Sequence, residues 1–234
     1  CAYGSEAAAE MEALKGAAQH REELEAEYQK AVAKYDVEAK KLSALRREGS
    51  VSFCNAVAAE FHGLGLEKAS LEIGWAESAN PTAAGYDMPE FLFSANPGEP
   101  LKPLAKIASG GEMSRVMLAL KVVLAKNDQI PTLIFDEIDA GIGGLTLQAV
   151  AERLAVIAED KQVLCVTHAP NIAGRGQTHF YVEKLFLNGK TKIQVSLLDA
   201  EERVEEIVRM LGGTSQDQVT WKHAQQILIT GRKR

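Results

Sequence analysis

Three short segments carry residues whose types and order suit work on a phosphate group. In the first, Ser109-Gly110-Gly111-Glu112-Met113-Ser114-Arg115, Ser109 is placed to cap a helix and Glu112, three residues on, to complete a capping box. Two glycines in the first turn leave backbone N–H groups approachable, and with the helix dipole they would form an anion site for a terminal phosphate. A plain N-cap is the competing reading. The second segment, Pro131-Thr132-Leu133-Ile134-Phe135-Asp136-Glu137, is an apolar strand delivering two adjacent carboxylates at its carboxyl end, where α/β sheets commonly place ligands. Adjacent carboxylates repel, so a cation would offset one charge, and Mg2+ bound through oxygen and water is the natural candidate. In that division Asp136 holds the metal shell and Glu137 polarises an attacking water as general base. An exposed Asp-Glu pair at a strand-to-loop junction is the alternative. Third, Thr167-His168 ends the next apolar strand, which puts the imidazole beside the carboxylate pair, where it could hydrogen-bond a phosphate oxygen or the water. A structural histidine is the rival there. Between them, Asp139-Ala140-Gly141-Ile142-Gly143-Gly144 is a glycine-rich loop suited either to close approach by a neighbouring subunit or to a tight turn.

Strands alternating with helices must position these segments. The pattern predicts a helix from Ser109, a buried strand at Thr132 to Phe135, a helix after Gly144 and a second apolar strand at Val163 to Val166, which together imply a layered α/β core. Phe180 to Leu187 and Thr191 to Leu198 flank Asn188-Gly189, a hairpin signal. Asp199 and Glu202 read as a capping box that opens a helix to Met210, stopped by Gly212-Gly213, and a last helix is expected near Gln216 to Ile229. Leu71 to Trp75 and Phe91 to Ser94 read as strands, separated by a Pro/Gly/Asn-rich stretch and followed by an Asn96-Pro97-Gly98 turn.

Upstream, Ser5 to Arg47 has no proline and only Gly16 as a glycine, and is dominated by Ala, Glu, Lys, Leu and Arg. Leu14, Arg21, Tyr28, Tyr35 and Leu42 recur every seven residues, as do Ala17, Leu24, Ala31, Glu38 and Leu45, with only Arg21 and Glu38 polar in these seams. A coiled-coil arm follows, with Asp36 and Lys40 paired on its outer surface and a charge-rich face bathed by solvent. Gly49-Ser50 is expected to break the arm before a second amphipathic helix at Val51 to His62. A narrow apolar stripe needs a partner helix, and no second heptad run of comparable length follows. The chain starts at Cys1, without an initiator Met and inside this pattern, so a longer polypeptide is expected.

With 46% apolar and 25% charged residues, the 234-residue chain can bury a sizeable core, and its net charge of −6 confines any nucleic-acid contact to local patches. Arg232-Lys233-Arg234 is too short a tail to change that. Cys1, Cys54 and Cys165 are widely spaced, which fits free thiols in a reducing compartment. No run reaches the roughly 18 to 20 apolar residues of a membrane span, so the expected location is the cytoplasm.

Taken in order, the segments resemble the second half of an ABC-type ATPase head: signature motif at Ser109 to Arg115, Walker B at Leu133 to Glu137, D-loop at Asp139 and switch histidine at His168. The resemblance implies ATP and Mg2+ as cofactors. It also implies nucleotide binding by Ser109, Gly110, Gly111, Glu112 and Asp139, metal binding by Asp136, and catalysis by Glu137 and His168. The signature of one such head faces the ATP held by another, so a homodimer through the heads is implied. No G-x-x-x-x-G-K-[ST] phosphate loop is present; Gly63-Leu64-Gly65-Leu66-Glu67-Lys68-Ala69-Ser70 comes nearest, with the wrong spacing. An arm followed by a signature half resembles the SMC layout, in which a coiled coil separates the two halves of the head.

Within that group Glu90-Phe91-Leu92-Phe93-Ser94-Ala95-Asn96-Pro97-Gly98-Glu99-Pro100-Leu101, Pro103-Leu104, Lys106-Ile107-Ala108 and Met117-Leu118-Ala119-Leu120-Lys121 are similar to the RecN family of bacterial DNA double-strand-break repair proteins. Two places depart from that pattern: Gly143 stands where serine is common, and Ala169-Pro170-Asn171 where Leu-Pro-Gln is usual. The expectation is an α/β fold, the C-terminal lobe of an ABC-type ATPase head at 49–234, preceded at 1–48 by one helix of an antiparallel coiled coil. Its partners would be the N-terminal lobe that carries the phosphate loop, a second head, and DNA ends or single-stranded tails, in a nucleoid-associated protein. Without that N-terminal lobe the chain should be inactive. Rival readings are a chromosome-organising SMC-type fragment and a non-enzymatic coiled-coil interaction module.

Overall fold

The alanine-, glutamate- and lysine-rich run forms one uninterrupted helix, α1 (Ala2–Phe61), of 60 residues. The structure, a computed structural model, describes residues 2–232 except Ala108, Lys126, Asn188, Gly189 and Ser215. The expected break at Gly49-Ser50 does not occur. A helical glycine costs only about 1 kcal/mol, while Ser50 Oγ and Ser52 Oγ donate to the Arg47 and Gly49 carbonyls at 2.7 and 2.9 Å without leaving the helix. Burial of Val57 and Phe61 beyond them anchors the continuation.

The chain divides into two compact units, one of Cys1–Ser52 with Gly74–Glu90 and one of Phe53–Ile73 with Phe91–Arg234. In the first, long strands replace the expected Pro/Gly/Asn-rich loop: β1 covers Ser70–Thr82 and β2 Gly85–Ser94. Pro81 is tolerated because β1 is an edge strand of its sheet. Thr82 makes the turn, its Oγ1 donating to the Gly85 carbonyl at 2.6 Å and accepting from Ala84 N at 3.1 Å. This hairpin lies along α1. Tyr35 Oη donates to the Thr82 carbonyl and accepts from Thr82 N, both at 2.9 Å, and its ring meets Tyr86 edge-on at 5.2 Å. Asp36 does not pair with Lys40 as expected, because it accepts a 2.7 Å bond from Tyr86 Oη. The side-chain pair formed within the helix there is Lys41 with Glu38, at 2.9 Å. Leu14, Leu24, Tyr28 and Leu45 remain more than half exposed.

Asp87 is the buried anion of this unit. Ser43 Oγ donates to it at 2.6 Å, Arg46 Nη1 lies at 3.2 Å and Arg47 Nη2 at 3.7 Å. The Ser43 hydrogen bond, followed by the Arg46 guanidinium, holds its carboxyl below the usual carboxylate range. A depressed folded pKa gives stability that is present above the unfolded value of about 3.9 and is lost as pH falls through the folded value. Asp87→Asn should therefore melt below the parent at pH 7, and the gap should narrow in melts recorded at pH 3. An equal gap at both pH values would contradict the ionic account.

The second unit is built around β4 (Thr132–Phe135), β5 (Gln162–Cys165) and the helices on them. These strands pair in parallel from Thr132↔Gln162 to Phe135↔Cys165. Parallel strands require a crossover, and α3 (Gly144–Ile157) supplies it. Helix α2 (Gly110–Leu124) packs on α3. Val57, Phe61, Leu118, Phe135, Ile138 and Val150 belong to one buried cluster. The same cluster includes Phe93 of β2, a strand that pairs antiparallel with the two-residue β3 (Lys102–Pro103). Parallel sheets are ordinarily covered on both faces, yet Ile134 and Val166 are 71% and 63% exposed while Leu133 and Phe135 are buried.

After the short α4 (Pro170–Ala173), β6 (Phe180–Leu187) and β7 (Lys190–Leu197) form an antiparallel ladder from Phe180↔Leu197 to Leu187↔Lys190. The Asn188-Gly189 turn expected there lies outside the described residues, as do Ala108 of the quoted resemblance and the basic tail beyond Arg232. Phe180, Val182, Phe186, Ile193, Val195 and Leu197 are each more than half exposed. Helix α5 (Ala200–Met210) begins with the expected capping box, with Asp199 and Glu202 each accepting from the other's end of the first turn. It packs on α6 (Gln218–Arg232) around Ile207, Val208 and Ala224. Cys54 and Cys165 are free thiols, and burial pushes Cys165 up to about 12, so it is an inert packing residue. Among the described residues no helix is long and apolar enough to cross a membrane.

Candidate functional site

Helix α2 starts where the sequence places it. Ser109 is the N-cap, its Oγ accepting from Glu112 N at 3.4 Å, and this is the one bond of the expected capping box that forms. The first turn then meets the loop that leaves β4. A Cβ built on Gly110 would collide with Glu137 Oε2, and one on Gly111 would lie 3.1 Å from both the Cβ and the carbonyl oxygen of Ala140. Glycine is thus favoured at Gly111 by the packing of the Ala140 backbone, whereas at Gly110 only the movable end of the Glu137 side chain would have to give way.

Two neighbouring side chains of α2 grip this loop. Ser114 Oγ donates to the Asp136 carbonyl at 2.7 Å, and Arg115 Nη1 donates to the Ala140 carbonyl at 3.0 Å. The Arg115 guanidinium is buried, which pushes it below the usual guanidinium value, and its Nε has no hydrogen-bond partner. A buried, incompletely paired cation beside Gly111 adds positive potential at the start of α2, where the helix dipole has the same sign.

Asp136 and Glu137 follow β4 directly and both are exposed. Glu137 N donates to Asp136 Oδ1 at 2.9 Å, which leaves the Asp136 carboxylate open outward. Glu137 has φ 56°, the sole non-glycine residue with positive φ among the described residues. An L-residue there carries roughly 1 to 2 kcal/mol of strain, which persists only where neighbours over-determine it. Among the described residues no three Asp, Glu, His or Cys side chains gather to hold a metal. A single open carboxylate is the donor set that suits Mg2+, which keeps its waters and takes substrate phosphates alongside one or two carboxylates.

Asp139 turns inward. It is 4% exposed, and its Oδ2 accepts from Thr167 Oγ1 and, at 2.9 Å, from His168 N, with His168 Nδ1 at 3.2 Å. The His168 ring is 84% exposed, so Nε2 is left for solvent or a ligand. The structure therefore brings His168 to Asp139, Gly110 to Glu137 and Gly111 to Ala140. Sequence reasoning placed Ser114, Arg115 and Thr167 inside its motifs but gave them no role, since the partners that define those roles lie 22 to 28 residues away.

Gly63 to Ser70 is no phosphate loop. Leu64 and Leu66 are buried in it, and Gly63 N donates to Glu67 Oε1 at 3.3 Å. Lys190 and Thr191, which follow a glycine, lie in β7 opposite Leu187 and Phe186, in a hairpin ladder with no helix start.

No family model matches the chain. Curated relatives do. The chain is 40% identical over 237 residues to the DNA repair protein RecN of Treponema pallidum, covering 99% of this chain and 41% of that protein. RecN of Halalkalibacterium halodurans is 39% identical over 197 residues, 82% of this chain and 35% of the relative. RecN of Bacillus subtilis is 33% identical over 241 residues, 97% of this chain and 42% of the relative. The chain thus spans about two fifths of the length of these relatives. Among solved structures, the Smc head domain with a coiled coil and joint from Pyrococcus yayanosii has a TM-score of 0.53 at 19% identity, over 92% of this chain and 36% of that one. The fold is accordingly that of an SMC-type head lobe with a long N-terminal helix, and by sequence the chain belongs to the RecN family.

Proposed function

We propose that this chain is the C-terminal lobe and descending arm of an SMC-like ATPase whose hydrolysis cycle serves DNA double-strand-break repair. The observation that carries the reading is the packing of the Gly110-Gly111 turn on the loop bearing Asp136 and Glu137, clamped by Ser114 and Arg115. A helix start with bare N–H groups, a buried cation and two open carboxylates within one loop suits phosphoryl chemistry by positioning and charge, with no covalent step on the protein.

In this reading the first turn of α2, with Ser109, Gly110, Gly111 and Glu112, takes the terminal phosphate of ATP held by a second head. Asp136 holds Mg2+, which supplies charge neutralisation at the phosphate oxygens when bound. Glu137 accepts a proton from the attacking water, and His168, held by Asp139 through Nδ1, presents Nε2 to that water or to the phosphate group. Asp139 acts from inside, fixing the His168 ring and the end of β5. The arm at 1–48 pairs with an upstream helix, which would cover its exposed seam residues. The half-covered β4–β5 sheet and the apolar outer face of β6–β7 fit an N-terminal lobe that completes the sheet and brings the missing phosphate loop. The relatives' name, DNA repair protein RecN, supports a role in DNA repair; in this reading the DNA partner is an end or a single-stranded tail.

The test is association of lobes. Mixed with the N-terminal part of the same protein, this chain should form a stoichiometric complex in light scattering. Adding ATP and Mg2+ should then double its mass by joining two heads. Two parts that stay apart, each folded, would remove the basis of the reading.

A further inference from the structure

Glu137 has been given a role at ATP, yet its carboxylate rests where a Gly110 side chain would be, on the first turn of α2. Three independent features hold it there. The Glu137 backbone sits in the left-handed region, a conformation that aims its side chain back at α2 at a cost in strain. Ser114 fixes the carbonyl immediately before it and Arg115 the carbonyl three residues after it, so both ends of the turn are tied to the same helix. The third is electrostatic. An anion is favoured at a helix N-terminus, and Glu137 Oε2 lies against Gly110 in the first turn, the place an incoming phosphate would use.

We propose that Glu137 is an internal occupant of its own head's signature turn, and that the phosphate of ATP on a second head must displace it before the heads close. This rests on the ATPase reading above. The consequence is a coupling within one chain: while docked on Gly110 the carboxylate is away from the water it would activate, and engagement of the signature frees it. A head whose signature is empty is thereby kept from hydrolysing its own nucleotide.

Gly110 makes the idea testable, because a methyl group at that position would itself evict the carboxylate. The experiment uses the full-length protein with Mg2+ and adenylyl imidodiphosphate, a non-hydrolysable analogue, so that turnover plays no part. The analogue concentration for half-maximal head association is measured for the parent, Glu137→Ala, Gly110→Ala and the double variant, with melting curves for each. Glu137→Ala should lower that concentration about threefold to tenfold, the scale of one charge at a helix start. In the Gly110→Ala background the same substitution should change it by less than twofold, since the docked state is already lost. An equal gain in both backgrounds would mean simple repulsion between Glu137 and nucleotide, and overturns the proposal, as does no gain in either. Absence of analogue-driven association in all four folded proteins would sink the ATPase reading itself, a distinguishable result.

Discussion

Glu137→Gln is expected to reduce the steady-state rate of ATP hydrolysis by the assembled protein about a hundredfold or more, the contribution typical of a general base, with no rise in KM for ATP. The amide has the size of the carboxylate but cannot accept the proton of the attacking water. The bonds that hold the loop in place, from Ser114 Oγ, Arg115 Nη1 and Glu137 N, do not involve the Glu137 side chain, so the fold should survive. A fall in kcat alone identifies an interaction made in the transition state, whereas a rise in KM alone would make Glu137 a ground-state binding residue. A variant that hydrolyses at the parent rate would assign the base to another residue.

Asp139→Ala should have the largest effect on the second unit. The substitution leaves Thr167 Oγ1 and His168 N without their acceptor at a buried position. Orphaning these donors costs about 3 kcal/mol, which for a domain of this size lowers the melting temperature by roughly 6 to 12 °C. Hydrolysis should fall as well, because the His168 ring loses the partner of its Nδ1. Asp139→Asn retains one acceptor oxygen and should melt between the two. If thermal scans place the Ala variant within a degree or two of the parent, Asp139 does not serve as the internal anchor described.

Much of the second unit was legible because its signals are local. Thr132 to Phe135, bounded by Pro131 and Asp136, reads as a short apolar strand and is one, although only its Leu133 and Phe135 face is buried, and Asp199 with Glu202 announces α5 three residues apart. Ser109 was readable as a cap for the same reason, although the reciprocal Glu112 bond of the box does not form. The errors arose where distant partners decide the outcome. Gly49-Ser50 looked like a break, but burial of Val57 and Phe61 outweighs one glycine's propensity. The stretch around Pro81 looked like loop, whereas Tyr35, Ser43 and Arg46, some forty residues away, hold it in a hairpin. For Asp139, expected at the nucleotide, the structure adds partners 28 and 29 residues away, Thr167 Oγ1 and the His168 backbone, which nothing in its sequence neighbours foretells. The two signature glycines point to a phosphate, and the structure adds a neighbour against each, the Glu137 carboxylate at Gly110 and Ala140 at Gly111.

The most direct test of the whole account is ATP hydrolysis by this chain alone, by its N-terminal counterpart alone and by the two combined, with Mg2+ present. The account predicts no activity above background from either part and sustained turnover from the mixture. Turnover by this chain alone would contradict a split site, and an inactive mixture of folded, associated lobes would contradict the catalytic reading.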